Sequence, residues 1–296
     1  MIATKSIPRF MKYRLWFFAV SLLFLIPGIA SLLLFGLKPA IDFTGGSLIE
    51  VQLSETEQAL ALDQVQAVTG EVFELSSVQT SGDQTYILRG KEINNQQMNQ
   101  AMSLFQDQYG QVELLRFETV GPILGRELLI KTFVAIGVVA SFITVYVWWK
   151  FKQLKFGVCA ILAMFHDSLI LLGAFSLLGF FLGVEVDVLF VTALLTTLSF
   201  SVHDTIVVYD RIREKQGTHA RVEFEKIVDA AVIETLGRSI NNSITIILML
   251  LALVLLGGET IRWFSVALLI GAVTGTYSST FTAAPLLLLW DDLVKR

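Results

Sequence analysis

Long apolar runs dominate the chain, interrupted once by a polar stretch in which apolar residues alternate or recur helically. A membrane-spanning helix needs about 20 apolar residues. Six segments reach that length: Leu15–Leu37, Thr132–Trp149, Phe156–Val184, Val188–Tyr209, Ser239–Gly258 and Trp263–Trp290. Four are free of charge; the third contains His166-Asp167 and the fourth His203-Asp204, with Tyr209-Asp210 read as its exposed cytoplasmic exit. Six spans place both termini on one side. The first span follows a basic segment but is longer than a signal-peptide core, so it is read as an uncleaved anchor, kinked near Pro27-Gly28.

The interrupting stretch, Lys38–Lys131, carries thirteen Asp/Glu against six Lys/Arg. "SLIEVQL" (Ser47–Leu53) alternates after Gly45-Gly46 and predicts a strand. "EQALALDQVQAV" (Glu57–Val68) has helical spacing. "EVFELSSVQT" and "QTYILRG" flank Ser81-Gly82-Asp83 and predict a hairpin. A second helix ends at Gly110, and "QVELLRFETV" predicts a last strand. The expectation is therefore a polytopic α-helical membrane protein with six transmembrane helices and an extracytoplasmic ferredoxin-like β-α-β-β-α-β domain. It divides into residues 1–37 (N-terminus and first helix), 38–127 (outer domain) and 128–296 (five-helix membrane domain with an amphipathic cytoplasmic loop near 210–237).

Composition agrees. Of 296 residues, 54% are hydrophobic and only 16% charged, against about 25% charged in soluble domains. The net charge of −4 gives no reason to expect nucleic-acid binding. Its distribution sets orientation, since Lys and Arg gather on the cytoplasmic side. Lys5, Arg9, Lys12 and Arg14 precede span one; Lys150, Lys152 and Lys155 follow span two; Arg211, Arg213, Lys215, Arg221 and Lys226 follow span four. The opposite turns hold Glu185, Asp187, Glu259 and one arginine. The termini are therefore expected in the cytoplasm. The single cysteine, Cys159, excludes an internal disulfide, and no zinc-type spacing occurs.

Charged groups inside a bilayer cost at least ~2.5–3.5 kcal/mol, so they mark partners, cavities or protons. Asp167 lies roughly 16 Å along its span from Phe156 at 1.5 Å per residue. Asp204 shares a helical face with Ser201 and Thr197, and Arg238 shares one with Asn241, Asn242 and Thr245. Spans four and five are antiparallel, so the two faces fall at similar depth and can approach. A carboxylate whose arginine partner comes and goes is a candidate proton site. Plainer readings stand beside this one: Arg238 snorkelling to the interface, and His166-Asp167 as a static hydrogen-bonded cluster. Val222, Ile227, Val228, Ala231, Val232 and Leu236 predict an amphipathic helix lying along the cytoplasmic surface. Gly271, Gly275, Ser279 and Ala283 form a small-residue stripe suited to close helix packing.

Several stretches together resemble one family. "IDFTGGSLIEV" (Ile41–Val51), with Asp42, Phe43, Thr44, Gly45 and Gly46, is similar to the signature shared by the SecD and SecF subunits of the bacterial Sec export machinery. "GPILGREL", with Gly121, Pro122 and Gly125, resembles the element before the second SecF span. "FHDS" (Phe165–Ser168), "SVHDTIVVYDRIRE" (Ser201–Glu214), "LGRSINNSITIILMLLALVLLGG" and "FSVALLIGAVTGTYSSTFTAAPLLL" resemble elements of spans three to six. The match runs in order along nearly the whole chain.

The resemblance implies a subunit of the SecD/SecF family, within the RND superfamily. Its members use the proton motive force to assist preprotein translocation after the ATP-driven steps. It implies a SecD-like partner, the SecYEG translocon, YajC, an unfolded preprotein and a bacterial inner membrane, with no cofactor or metal. It implies proton-coupling roles for Asp204 and Arg238, with His166 and Asp167 beside them. His203 stands where the family usually has Asn, placing a titratable imidazole there. The outer domain is then expected to act mechanically, its tilt biased by proton passage. Other classes remain open on the residues: half of an RND-type small-molecule or lipid exporter, an intramembrane enzyme, or a scaffold with a static polar cluster. No nucleophile–base set favours the enzyme.

Overall fold

A computed structural model describes residues 9–53, 62–70, 72–80, 84–218 and 222–294. The chain forms two compact units: Pro39–Val134, and Met1–Lys38 with Ala135–Arg296.

In the first unit a single turn, α2 (Ile41–Thr44), leads into β1 (Gly46–Leu53), followed by α3 (Leu62–Thr69), β2 (Leu75–Thr80), β3 (Thr85–Gly90), α4 (Asn95–Tyr109) and β4 (Val112–Val120). The sheet is antiparallel with order β2-β3-β1-β4, the ferredoxin-like arrangement the pattern predicts. Register follows from alternation. Ile49 opposes Leu88 and Val51 opposes Tyr86, so one face carries all four into a core completed by Val65 of α3 and Ala101, Met102 and Phe105 of α4. Each of the larger side chains contributes about 1.5–3 kcal/mol by leaving water. The β1–β4 register slips at Glu50/Val51, leaving Leu115 as the extra residue. This bulge is why β4 does not alternate cleanly between buried and exposed positions.

Two boundaries differ from expectation. The second strand starts at Leu75 rather than Glu71, because Val72–Glu74 turn to insert Phe73 fully into the core. The hairpin turn expected at Ser81-Gly82-Asp83, and the first turn of the helix expected from Glu57, lie outside the described residues; β2 and β3 do pair antiparallel. Helix α4 is opened by a capping box: Asn94 accepts from the Gln97 amide and Gln97 accepts from the Asn94 amide. Asn94→Ala is expected to lower stability by about 1 kcal/mol, read as a small fall in the thermal midpoint of the purified chain.

The two glycine-containing motifs meet in this unit. A side chain at Gly45 (φ +74°) would lie 2.8 Å from Pro122 Cα, and one at Gly125 would lie 2.9 Å from the Gly45 nitrogen. The backbones of "DFTGG" and "GPILG" therefore touch, which only glycine allows.

The second unit is built from helices: a 3-10 turn (Phe10–Tyr13) into α1 (Arg14–Leu34), α5 (Pro122–Phe151, in this unit from Ala135 on), α6 (Leu154–Leu182), α7 (Val188–Thr218), α8 (Phe224–Leu256) and α9 (Glu259–Ser278). A π segment (Ser279–Ala283) then joins α9 to α10 (Ala284–Val294). Among the described residues, six helical stretches are long and apolar enough to span a membrane, matching the six predicted runs. Helix α1 ends before Leu37 because Gly36 takes a left-handed conformation (φ +68°) after the cap at Phe35. Helix α5 starts ten residues ahead of the predicted span, at Pro122, a favoured first helical position.

The amphipathic segment after span four is not a separate surface helix. It is the first part of α8, continuous with span five across Gly237. Its apolar stripe, Ile227, Val228, Ala231 and Val232, is buried against Tyr209, Ile212 and Leu287 rather than against a lipid surface. Protein partners on both flanks outcompete the interface for that stripe. The exit of α7 also differs: Tyr209 is fully buried, packed edge-on against Phe151 and Phe156, and Asp210 is half-buried, pairing with Lys150 at 2.9 Å.

Candidate functional site

The predicted small-residue stripe forms a seam between α9 and α7. A side chain at Gly271 would fall 2.9 Å from Thr197 Cβ, and one at Gly275 would fall 3.4 Å from Ser201 Cα. Tyr209 donates its hydroxyl to the Ala283 carbonyl at 2.8 Å. All three pairs share one sequence offset of 74 residues. The helices therefore run side by side in the same direction with a four-residue period, and the same offset sets Thr205 opposite Ser279. Without a hydrophobic force between helices in lipid, such close approach supplies the packing energy.

Asp167 of α6 is the polar centre of this seam, 1% exposed. Its Oδ2 accepts from Ser201 Oγ of α7 at 2.6 Å and from Ser278 Oγ, the last residue of α9, at 2.5 Å. Its Oδ1 lies 2.9 Å from His166 Nδ1, and since a carboxylate accepts, that nitrogen donates. One carboxylate thus joins three helices.

Asp204 lies one turn beyond Ser201 and is 3% exposed. Its Oδ2 has no hydrogen-bond partner among the described residues; the same holds for Thr205 Oγ1 and His166 Nε2. Buried polar atoms are nearly always satisfied, so the orphaned atoms of His166, Asp204 and Thr205 single this region out as the candidate site. The face predicted for Asp204, with Ser201 and Thr197, is buried as a whole.

The face predicted for Arg238 points the other way. Arg238, Asn241, Asn242 and Thr245 are all exposed on α8, and His203 is exposed on α7. The Thr245 hydroxyl bonds back to the Asn241 carbonyl at 3.0 Å. No hydrogen bond or ion pair joins Arg238 to Asp204 among the described residues. The anticipated approach of the two faces is thus not made: one is internal, the other a polar surface.

The π segment was not foreseen. Pro285 offers no N–H to the Phe281 carbonyl four residues earlier and its ring crowds that carbonyl, so the helix widens just before it. Ser278, at its start, was not singled out in the sequence, because its role as a hydrogen-bond donor to Asp167 has no local sequence signal. Near the helix ends, Arg211 bonds Glu214 and Glu234, Lys215 bonds Glu234, and Arg14 pairs with Asp292. These half-solvated pairs fix helix ends more than they stabilise. Among the described residues, no group of three or more metal-ligating side chains occurs.

Residues 100–293 match the family described as protein export membrane protein SecD/SecF, C-terminal, and residues 30–57 match the SecD/SecF GG motif. The chain is 41% identical to protein translocase subunit SecF of Thermobaculum terrenum, over 95% of this chain and 93% of that one. It is 39% identical to protein translocase subunit SecF of Anaerolinea thermophila, over 94% and 92%. Its structure superposes on that of SecDF, a translocon-associated membrane protein from Thermus thermophilus, with a TM-score of 0.85 and 30% identity, covering 99% of this chain and 40% of that longer chain.

Proposed function

The chain belongs to the SecD/SecF family of protein-export membrane proteins, and from that premise we propose that it couples proton movement to preprotein export through Asp204. Its relatives are named as translocase subunits, a transport role rather than a catalytic one. In this reading it works with a SecD-like subunit at the SecYEG translocon, alongside YajC, on an unfolded preprotein. It sits in the bacterial inner membrane with both termini in the cytoplasm and the 38–127 domain outside.

The observation that carries the reading is the buried, unpartnered Oδ2 of Asp204. A carboxylate so placed is held at a cost that a proton removes. Arg238, His203, Asn241 and Asn242 supply the second half of the argument. Polar heads on the outer surface of membrane helices call for a partner, and a second membrane subunit would meet them there. The His166–Asp167 pair lies next to the proton site, with Thr197 and Ser201 as supporting hydroxyls, while Thr245 belongs with the exposed Arg238 face of α8. One charge crossing 100 mV is worth about 2.3 kcal/mol, roughly a fifty-fold shift in a two-state equilibrium.

The test compares preprotein translocation into membrane vesicles with and without a proton gradient. Asp204→Asn is expected to abolish the stimulation by the gradient while the protein still accumulates with its partner. A normal stimulation in that variant, with the complex intact, removes the proposal.

A further inference from the structure

Resting on that reading, we propose that Ser278 and Ser201 are positioning residues, held by Asp167 in a clamp that sets Asp204 against the π segment. The geometry is a hydrogen-bond count. A hydroxyl has one proton to give. Ser201 spends its proton on Asp167 Oδ2 at 2.6 Å, and Ser278 spends its proton on the same oxygen at 2.5 Å. A carboxylate accepts both; once protonated on Oδ2 it becomes a donor and cannot. Ser278 has a second acceptor within reach, the Gly275 carbonyl at 3.2 Å, one turn back on its own helix. The clamp therefore has two states on the α9 side: hydroxyl on α6, or hydroxyl returned to α9.

The location gives the switch its consequence. Ser278 is the residue at which α9 passes into the π segment, and Tyr209 grips the far end of that segment through Ala283. Along α7, Asp204 lies between these two holds. Releasing one of them changes the packing of the stretch facing Thr205 and Asp204 while the other stays fixed. On the packed helices α6, α7 and α9, Cys159 of α6 and Tyr209 of α7 are buried, His203 of α7 is exposed, and the remaining charged residues lie near the ends: Lys155 at the start of α6, Asp210, Arg211, Arg213, Glu214 and Lys215 late in α7, Glu259 and Arg262 at the start of α9. His166 shares the helix of Asp167; Asp204 is on α7; Tyr277 on α9 donates instead to the Phe17 carbonyl at 2.8 Å. The π segment offers hydroxyls only, and α1 carries at its start Arg14, paired with Asp292.

The experiment uses the full chain with its partner subunit in vesicles and reads the ratio of translocation with and without a proton gradient, across pH. Ser278→Ala is expected to lower that ratio roughly tenfold, as loss of a hydrogen bond to a charged group implies. Ser278→Thr, which keeps the hydroxyl, is expected to restore most of it and the wild-type pH profile. Asp167→Asn, isosteric and permanently uncharged, is expected to lose the response with protein level intact; it is the decisive variant where Ser278→Ala does not accumulate. A wild-type ratio in Asp167→Asn, or equal loss in Ser278→Ala and Ser278→Thr, overturns the clamp. Asp204→Asn, run in parallel, separates the two ideas. If it alone loses the response, the clamp falls and the proton site stands; if it keeps the response, the parent reading falls.

Discussion

Gly173→Val is expected to prevent accumulation of the folded membrane unit. Helices α1 and α6 cross at Gly28 and Gly173, where a side chain on Gly173 would fall 2.8 Å from the Gly28 carbonyl carbon. The obstacle is backbone, which cannot swing aside as a side chain can. To make room the helices must part, and parting them breaks the Ser31–Ser176 hydrogen bond at 2.7 Å and the Phe35–Phe180 stack. Overpacking a core typically costs 1–3 kcal/mol, and more than about 3 is expected where two backbones collide. The comparison is Gly137→Val on α5, where an added side chain meets nothing within 4 Å. Detergent-extracted yield and thermal unfolding of the two variants measure the difference. Equal behaviour would mean that the crossing is not as close as described.

Gly46→Ala is expected to disrupt the sheet of the outer unit. Gly46 has φ +124°, a region that alanine avoids, and its side chain would lie 2.6 Å from the Gly90 carbonyl oxygen. That oxygen sits on β3 at the point where Ser47 pairs with Gly90, so the clash falls on the central β1–β3 ladder. Strain and clash together are expected to cost about 3–5 kcal/mol. Gly70→Ala shares the positive φ (+54°) but meets open space, and about 1 kcal/mol is expected there. Amide hydrogen exchange across β1 and β3 distinguishes them. Protection in Gly46→Ala equal to that in Gly70→Ala would contradict the account.

Which features the sequence made readable follows from the range of the forces involved. Span number and strand order rest on local periodicity, which residues such as Ile49, Val51 and Leu53 declare without help. The stripe Gly271, Gly275, Ser279 and Ala283 declared a packing face but not its partner; only the fold puts Thr197 and Ser201 against it. Asp167 and Asp204 stood out because charge in an apolar run is costly wherever it lies. Ser278 did not, since a serine in a membrane helix satisfies itself locally and costs little. The approach of Asp204 and Arg238 was inferred from depth alone. Depth fixes height along a helix, not the direction a side chain takes around it, and the two point apart. The amphipathic stretch before Arg238 shows the same limit: its periodicity was correct, but periodicity does not say whether lipid or Tyr209 covers the apolar side.

That stretch being one helix with span five has a mechanical result. Helix α8 runs unbroken for 33 residues, about 50 Å at 1.5 Å per residue. Pivoted at Glu234, about a third of the way along, where Arg211 and Lys215 hold it, it is a lever arm. A tilt of roughly 5° would carry its far end by ~3 Å over the remaining 22 residues. An angular change too small to break a single backbone hydrogen bond at the pivot thus becomes a displacement of side-chain size at the other end of the helix.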